Sequence, residues 1–334
     1  MLVTNLRITL RPLPAFRSLG GGRRTMSQYT LSSYIVTPAE LDSALKKNVY
    51  SKLSTAPRII PLCASWFLPN DDRSGIDTFK ESRIPHARFF DLDEVKDQNS
   101  PYPHMLPSAK DFANAMGRLG IHKDDSVVVY DSKELGIFSA PRVAWTLKIF
   151  GHPNVHILNN FKIWCRDGFP TESGEPKEVE RVDYPVSELD KSKVAAFEEV
   201  KEIVKELGKE GAEEVQVLDA RPAGRWAGTD PEPREGLSSG HMPQSINVAM
   251  SYLLHPEDKT LLPAAELKQI LQKLGVDPSK PVISSCGTGV TAAIIDTALT
   301  EAGYPKENRR IYDGSWTEWA QRVQPTEGLI RKSL

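Results

Sequence analysis

The chain has 334 residues, of which 40% are apolar and 26% are charged, and its formal net charge is −2. This length suggests two domains, and the composition is that of a globular protein, which excludes wholesale disorder. The near-neutral charge gives no indication of nucleic-acid binding, and no apolar run reaches the length of a transmembrane helix. We therefore expect neither nucleic acid nor a membrane as a direct partner.

The N-terminal segment has the pattern of an organelle-targeting sequence. The first 39 residues contain five arginines and no acidic residue, and leucines recur among the arginines at helical spacing. This pattern predicts a mitochondrial transit peptide at residues 1–25 and a protein of the mitochondrial matrix. The alternative is a disordered basic tail. Translation from Met26 would give a cytoplasmic form of the same protein.

Two later stretches of the chain repeat one pattern. Residues 119–131 (LGIHKDDSVVVYD) align without a gap with residues 274–286 (LGVDPSKPVISSC), and an amphipathic helical segment precedes each stretch. In both copies a tryptophan follows the last of these residues at a distance of 33 positions. Short apolar strands alternate with helical segments in each copy, which is typical of a parallel sheet with helices on both faces.

The repeat divides the chain into two domains of one α/β fold. We expect an N-terminal domain at residues 33–170 and a C-terminal domain at residues 196–326. Residues 171–195 are rich in Glu, Pro, Ser and Lys and are interpreted as the linker between the domains.

Cys286 is the strongest candidate for a catalytic residue. It ends a predicted strand and is followed by a glycine loop and then a helix that begins near Val290. Gly287 and Gly289 allow successive N–H groups to turn inward as an anion-binding nest, and the positive end of the helix points at the same loop. Both effects favour the thiolate, which is the nucleophilic form of cysteine. The first copy has Asp131 at the equivalent position, so we expect that copy to be a scaffold.

The other cysteines, Cys63 and Cys165, have no such loop, and we expect them only to pack in the interior. Three cysteines without a CxxC motif argue against a disulfide framework and against a structural zinc site. The histidines do not cluster with cysteines at ligand spacing, so we expect no metal.

The segment CGTGVTA, which begins at Cys286, resembles the active loop of the rhodanese superfamily and specifically of its 3-mercaptopyruvate sulfurtransferases. The motifs ASWFLP, SAPRVAW, DARPAGRWAGTDPEPREG and YDGSWTEW extend the resemblance over residues 34–323. This family has two tandem rhodanese-like domains, each a parallel sheet flanked by helices, and only the C-terminal domain carries the catalytic cysteine. The resemblance therefore implies the organisation that the repeat predicts.

The resemblance implies a sulfurtransferase that works without a cofactor. Cys286 would take sulfur from 3-mercaptopyruvate, release pyruvate and carry the sulfur as a persulfide. An acceptor such as thioredoxin, a small thiol or cyanide would then receive the outer sulfur. Hydrogen sulfide production, or sulfur supply through a sulfur-carrier protein for tRNA thiolation, is compatible with this chemistry.

The resemblance also implies the roles of individual residues. Arg225 and Arg234 match two substrate-binding arginines, whose planar guanidinium groups suit a carboxylate. Thr288, His104 and Asp93 match a relay in which the carboxylate orients the imidazole and the imidazole tunes the hydroxyl. Since Asp93 and His104 belong to the N-terminal domain, the site would lie in the cleft between the domains. The loop supplies the remaining predicted substrate-binding residues, Gly287, Gly289, Val290 and Thr291.

Three other functions are alternatives to this one. Thiosulfate rhodaneses usually carry Arg and Lys directly after the cysteine, whereas Gly287 and Thr288 are neutral and favour monoanionic mercaptopyruvate, so thiosulfate is expected to be a weaker donor. A cysteine phosphatase requires an arginine six positions after the cysteine, and this chain has Ala292 there. A non-enzymatic rhodanese-like relay or binding module is the third, and the retention of the site residues argues against it.

Overall fold

The computed structural model describes residues 31–48 and 57–333. The predicted transit peptide at residues 1–25 and the second start at Met26 lie outside the described residues. Among the described helices, none combines the length and the apolarity needed to cross a bilayer.

The N-terminal domain is built on a five-stranded parallel sheet with the strand order β1-β5-β4-β2-β3. Helices α1, α2, α3 and α5 each begin at a Thr, Ser or Asn side chain that accepts a backbone N–H of the first turn. Its elements in chain order are β1 (Ile35–Val36), α1 (Pro38–Leu45), β2 (Ile59–Cys63), α2 (Gly75–Glu81), β3 (Arg88–Phe89), α3 (Ala109–Arg118), β4 (Ser126–Tyr130), α4 (Ala140–Ile149), β5 (Asn154–Leu158) and α5 (Phe161–Arg166).

The C-terminal domain repeats this topology in a second parallel sheet with the order β6-β10-β9-β7-β8. The predicted α/β fold of two copies is therefore confirmed, and the second sheet begins two residues inside the predicted linker. The elements are β6 (Val194–Ala195), α6 (Phe197–Glu206), β7 (Gln216–Asp219), α7 (Ala223–Ala227), β8 (Ile246–Asn247), α8 (Ala264–Lys273), β9 (Val282–Ser285), α9 (Ala292–Glu301), β10 (Arg309–Tyr312) and α10 (Ser315–Arg322).

The repeat extends to a detail of packing. Trp164 and Trp319 are fully buried, and their indole N–H groups donate to the carbonyls of Pro170 and Leu329 at 2.9 and 3.0 Å.

The C-terminal copy also has short 3-10 turns. They follow β8 at Met250–Tyr252 and α10 at Pro325–Glu327, and another precedes β6 at Lys191–Lys193.

The two sheets bury their strands on both faces, as parallel sheets require. Every residue of β2 and of β9 is buried. Helices α4 and α9 pack against each other between the domains, and one continuous apolar cluster includes residues of both helices. This packing fixes the face of the C-terminal domain that carries Cys286 against the N-terminal domain.

The linker packs on the N-terminal domain. Glu172 forms an isolated antiparallel bridge with Arg83, and the Val182 N–H donates to the Gly117 carbonyl at 3.0 Å. Further along, the buried Tyr184 stacks on the ring of His152. These contacts fix the course of the linker along the N-terminal domain.

Candidate active site

Cys286 follows the last residue of β9 directly and is 2% exposed. It lines a cavity of about 210 Å³ between the domains, at the carboxyl end of the sheet, where open α/β folds bind ligands. The C-terminal domain contributes Arg225 and Arg234 to the wall, and the N-terminal domain contributes Trp66 and Phe138. The loop residues Gly287, Thr288, Val290 and Thr291 also line this cavity.

Two backbone hydrogen bonds from α10 fix the conformation of the loop that begins at Cys286. The carbonyls of Cys286 and Gly287 accept N–H bonds from Trp316 and Thr317, each at 2.9 Å. Within the described part of the chain, none of the backbone N–H groups at 287–291 donates to a protein acceptor. These groups are therefore available to an anion, and α9 begins directly after them.

Only one of the two predicted loop glycines adopts a special backbone conformation. Gly289 has φ +76°, and a Cβ there would lie 2.7 Å from the carbonyl oxygen of Asp313, so no other residue fits without movement. Gly287 is not in the left-handed region, and a Cβ there would meet the Arg225 guanidinium at 3.3 Å. Its small size therefore matters for the approach of Arg225.

In the first copy, the position equivalent to Cys286 is occupied by Asp131. The buried carboxylate of Asp131 accepts N–H bonds from Phe138, Ser139 and Ala140 at 2.8–3.2 Å. The Ser139 hydroxyl donates to the same carboxylate at 2.6 Å. Burial raises the pKa of Asp131, whereas these hydrogen bonds lower it. A strand end followed by a loop and a helix start thus surrounds a carboxyl group in the N-terminal domain, and the equivalent position of the C-terminal domain holds a sulfur instead.

The three residues of the predicted relay lie together, although they come from both domains. His104 Nδ1 is 3.0 Å from the Thr288 hydroxyl, and His104 Nε2 is 3.2 Å from Asp93 Oδ1. Burial lowers the pKa of His104, while Asp93 partly opposes this effect. The hydrogen bond from His104 lowers the pKa of Asp93. A neutral imidazole next to an ionised carboxylate donates from Nε2, so Nδ1 accepts the proton of the Thr288 hydroxyl.

The two predicted substrate-binding arginines differ in their surroundings. Arg225 is already paired with the buried Glu232, to which its Nε donates at 3.1 Å and its Nη2 donates as well. Glu232 also accepts a hydrogen bond from the buried Arg221. Arg234 has no hydrogen-bond partner among the described residues, and burial together with the charge of Arg225 lowers its pKa. Arg234 is thus the guanidinium that is free to bind a carboxylate in the cavity.

The chain is similar to known sulfurtransferases. A family model described as a rhodanese-like domain matches residues 199–322. A probable 3-mercaptopyruvate sulfurtransferase of Schizosaccharomyces pombe is 40% identical, over 85% of this chain and 94% of the relative. The thiosulfate sulfurtransferase TUM1 of Saccharomyces cerevisiae is 43% identical, over 80% of this chain and 90% of the relative. A solved structure, the sulfur transferase subunit of yeast mitochondrial complex I, aligns with TM-score 0.78 at 38% identity, covering 90% of this chain and all of that one.

The chain belongs to the rhodanese family of sulfurtransferases. The resemblance seen in its motifs is therefore confirmed, and the two sheets are the tandem domains of that family. The sulfurtransferase has one domain with a cysteine at the loop and one with a carboxylate in its place.

A buried ion pair that the sequence motifs do not predict lies beneath the loop after Cys286. Arg142 of α4 is 1% exposed and donates to Asp313 of the C-terminal domain at 2.5 Å. It also donates to the carbonyl of His104 at 2.8 Å and to that of Gly289 at 3.4 Å. The signal in the sequence is a lone arginine within the otherwise apolar start of a helix, APRVAW.

The remaining cysteines lie away from the cavity. Cys63 ends β2, where burial raises the pKa of its thiol to about 12, and its sulfur is 3.2 Å from the Ser65 hydroxyl. Cys165 lies in α5, and burial raises its pKa as well. Neither position favours a thiolate. Within the described ranges, no group of three His, Cys, Asp or Glu side chains is arranged to hold a metal ion.

Proposed function

We propose that the protein transfers sulfur from 3-mercaptopyruvate to a thiol acceptor through a persulfide on Cys286. The observation that carries this proposal is the contact between His104 of one domain and Thr288 of the other, two residues from the cysteine. The contact places a hydroxyl that is hydrogen-bonded to an imidazole close to the cysteine, and such a pair can pass a proton to or from a reacting sulfur.

The charge of the cavity favours a monoanionic donor. The free guanidinium of Arg234 suits the carboxylate of a 2-oxo acid, and Glu232 cancels much of the charge of Arg225. The neutral Gly287 and Thr288 add no cation. Thiosulfate, a dianion and the donor named for the Saccharomyces cerevisiae relative, is the second candidate and would bind less tightly.

The first half-reaction moves the thiol proton of the donor to its own carbon. The Cys286 thiolate attacks the donor sulfur, the S–S bond forms, and the C–S bond breaks with its electron pair going to the pyruvate enolate. The donor thiol passes its proton to the Thr288 oxygen while the Thr288 proton moves to Nδ1 of His104. The relay then returns a proton to the enolate carbon. The products are pyruvate and the Cys286 persulfide anion, so no net proton enters or leaves.

Asp93 stabilises the imidazolium that forms during this transfer. Because the pKa of His104 is low, the imidazole is neutral at the start and can accept the proton. The free N–H groups at 287–291 and the start of α9 stabilise the negative charge that resides on sulfur before and after the transfer.

In the second half-reaction, an acceptor thiol takes the outer sulfur as its own persulfide and Cys286 returns to the thiolate. A dithiol protein such as thioredoxin can then close a disulfide and release hydrogen sulfide. A small thiol or a sulfur-carrier protein would retain the sulfur.

A mitochondrial location is part of the proposal. It is supported by the arginine-rich pattern of the first 39 residues and by the similarity to a subunit of yeast mitochondrial complex I. A start at Met26 would place a second form in the cytoplasm. Fractionation of cells that express the full chain, or the chain from Met26, with a C-terminal tag tests both statements.

Intact-mass measurement after incubation with 3-mercaptopyruvate tests the function. We expect a gain of one sulfur atom, release of one pyruvate, and loss of the adduct on treatment with a thiol. Cys286→Ser should form no adduct, whereas Cys165→Ser, the matched control, should form it normally. Pyruvate release without an adduct, or an adduct that survives in Cys286→Ser, would contradict the proposed persulfide.

A further inference from the structure

The carboxylate of Asp93 has a second partner that the relay does not account for. Trp66, three residues after β2, donates its indole N–H to Asp93 Oδ2 at 2.9 Å. The other oxygen, Oδ1, faces His104. The Trp66 ring also meets the His104 ring edge to face, with the centroids 4.6 Å apart and the planes at 80°. Trp66 thus contacts both members of the relay that come from its own domain.

Asp93 needs such a partner because it is the exposed end of the relay. Its side chain is 57% exposed, whereas that of His104 is 1% exposed. A carboxylate at the surface exchanges protein contacts for water readily, and a short side chain gains rotamer freedom when it does so. In the described part of the chain, the hydrogen bonds that its carboxylate receives come from His104 and Trp66. The indole therefore binds Asp93 Oδ2, which the imidazole leaves free, and this contact fixes the orientation of Oδ1 toward His104.

Trp66 is itself held by the loop that replaces the active loop in the first copy. Its backbone N–H donates to the Ser139 hydroxyl at 3.1 Å, and that hydroxyl donates to Asp131 at 2.6 Å. The ring of Phe138 lies parallel to the Trp66 ring at 6.3 Å. The loop that carries Asp131 at the position of the catalytic cysteine thus anchors the tryptophan.

We propose that Trp66 is a positioning residue for sulfur transfer: held by the Asp131–Ser139 loop of the N-terminal domain, it fixes Asp93 so that the carboxylate faces His104. This inference rests on the proposed relay of Asp93, His104 and Thr288. It gives the N-terminal loop a present role in catalysis, which acts through the chain Asp131, Ser139, Trp66 and Asp93.

A double-mutant cycle separates this role from the contribution of Trp66 to the cavity wall. Trp66→Phe keeps an aromatic ring against His104 and the cavity but removes the N–H donor and part of the ring system, and the cycle with Asp93→Ala separates these two changes. We expect kcat for pyruvate release to fall roughly 10-fold, the loss typical of residues that orient a catalytic group, with KM within about twofold of the wild type. In the Asp93→Ala background, the same substitution should change kcat by less than about twofold, because its target is absent.

Trp164→Phe is the matched control, since it removes a buried indole donor from the same domain without touching the cavity. It should leave kcat unchanged. Ser139→Ala provides a second variant that loosens Trp66 without altering its ring, and we expect kcat to fall severalfold. Thermal melting of each variant verifies that it is folded.

The outcomes distinguish the two proposals. If Asp93→Ala itself leaves kcat unchanged, the relay is wrong and the role of Trp66 falls with it. If Asp93→Ala lowers kcat but Trp66→Phe does not, the relay stands and the positioning role is overturned. If the loss from Trp66→Phe persists in full in the Asp93→Ala background, Trp66 acts as a wall of the cavity, and the inference is also overturned.

Discussion

His104 and Thr288 lie 184 positions apart in the chain and 3.0 Å apart in space, across the boundary between two domains of the same fold. The backbone of His104 is in the left-handed region at φ +61°, a conformation that a non-glycine residue adopts only when its surroundings hold it there. Arg142 provides part of that hold through the carbonyl of His104. The relay therefore depends on the docking of the domains as well as on the residues themselves.

The first prediction concerns Asp93→Asn. Burial lowers the pKa of His104 and the Asp93 carboxylate raises it, so loss of the charge should lower that pKa further. The neutral imidazole is the active form, so kcat falls as pH drops through this pKa, and the acid limb should move to lower pH in the variant. An amide that donates to Nε2 also favours the wrong tautomer, and we expect kcat at neutral pH to fall roughly 10- to 100-fold.

A pH–rate profile of kcat from pH 4.5 to 8 measures both effects. Asp91→Asn is the control, because it removes a carboxylate two positions away that contacts the Asp93 backbone and not the imidazole. An unchanged acid limb in Asp93→Asn would show that His104 does not control the rate.

The second prediction separates the hydroxyl of Thr288 from its methyl group. Thr288→Ala removes the group that donates to His104, and we expect kcat to fall about 100-fold, as for other relay residues. Thr288→Ser keeps the hydroxyl and releases the β-branched constraint on χ1, so it should retain kcat within about fivefold of the wild type. Steady-state pyruvate release measures both variants. Equal losses in the two variants would mean that packing of the methyl group, and not proton transfer, is what Thr288 contributes.

The fold could be predicted from the sequence because each copy of the repeat contains strand-sized apolar segments at the same spacing. The residues near Cys286 could be predicted for a similar reason, since glycines and a helix start lie within one short segment. The pairing of Asp93 and His104 with Thr288 came only from the family resemblance. A contact between domains leaves no periodic trace in a single sequence.

The ion pair of Arg142 and Asp313 illustrates what one sequence does not reveal. Its members are 171 positions apart, and α4 reads as an apolar helix in which one arginine would be assumed to reach solvent. In the structure that arginine is enclosed by both domains. The pairing of Arg225 with Glu232 does not follow from the sequence although the two are only seven positions apart, because an acidic residue near the surface usually faces water.

The third prediction concerns donor choice and Glu232. Glu232→Gln removes the negative charge that is bound to Arg225, so the cavity gains positive potential. We expect the specificity ratio, kcat/KM for thiosulfate divided by kcat/KM for 3-mercaptopyruvate, to rise by roughly 5-fold. This rise corresponds to about 1 kcal/mol of additional Coulomb attraction for the second negative charge of thiosulfate. The ratio is unaffected by loss of folded protein. Glu235→Gln, an exposed charge in the same loop, is the control, and an equal rise there would reveal a general charge effect.

The fourth prediction concerns the Arg142–Asp313 pair. Arg142→Met leaves a buried carboxylate without its partner, and we expect a loss of roughly 3–5 kcal/mol in the free energy of unfolding. Combining it with Asp313→Leu removes the unpaired charge and should restore most of that stability. The carbonyl of His104 and the N–H of Leu106 still lack their partners, so kcat should stay at least 10-fold below the wild type. Thermal melting and kinetics of both variants test this. Recovery of kcat together with stability would mean that the pair serves folding alone.

The last prediction is a pH dependence of stability at His152, where the linker meets the N-terminal domain. Burial lowers the pKa of His152 to about 4, while one ring nitrogen contacts the Asp125 carbonyl at 2.9 Å and the other the Tyr184 hydroxyl at 2.8 Å. The unfolded chain, with a histidine pKa of about 6.5, binds more protons between these values, so stability is lost as pH falls from about 6.5 to 4. The full loss from this one group is about 3 kcal/mol. Urea unfolding of the wild type and of His152→Gln at pH 7 and pH 4.5 measures it, since glutamine does not titrate. We expect the wild type to lose more stability than the variant over this range, and parallel losses in the two proteins would exclude His152 as the cause.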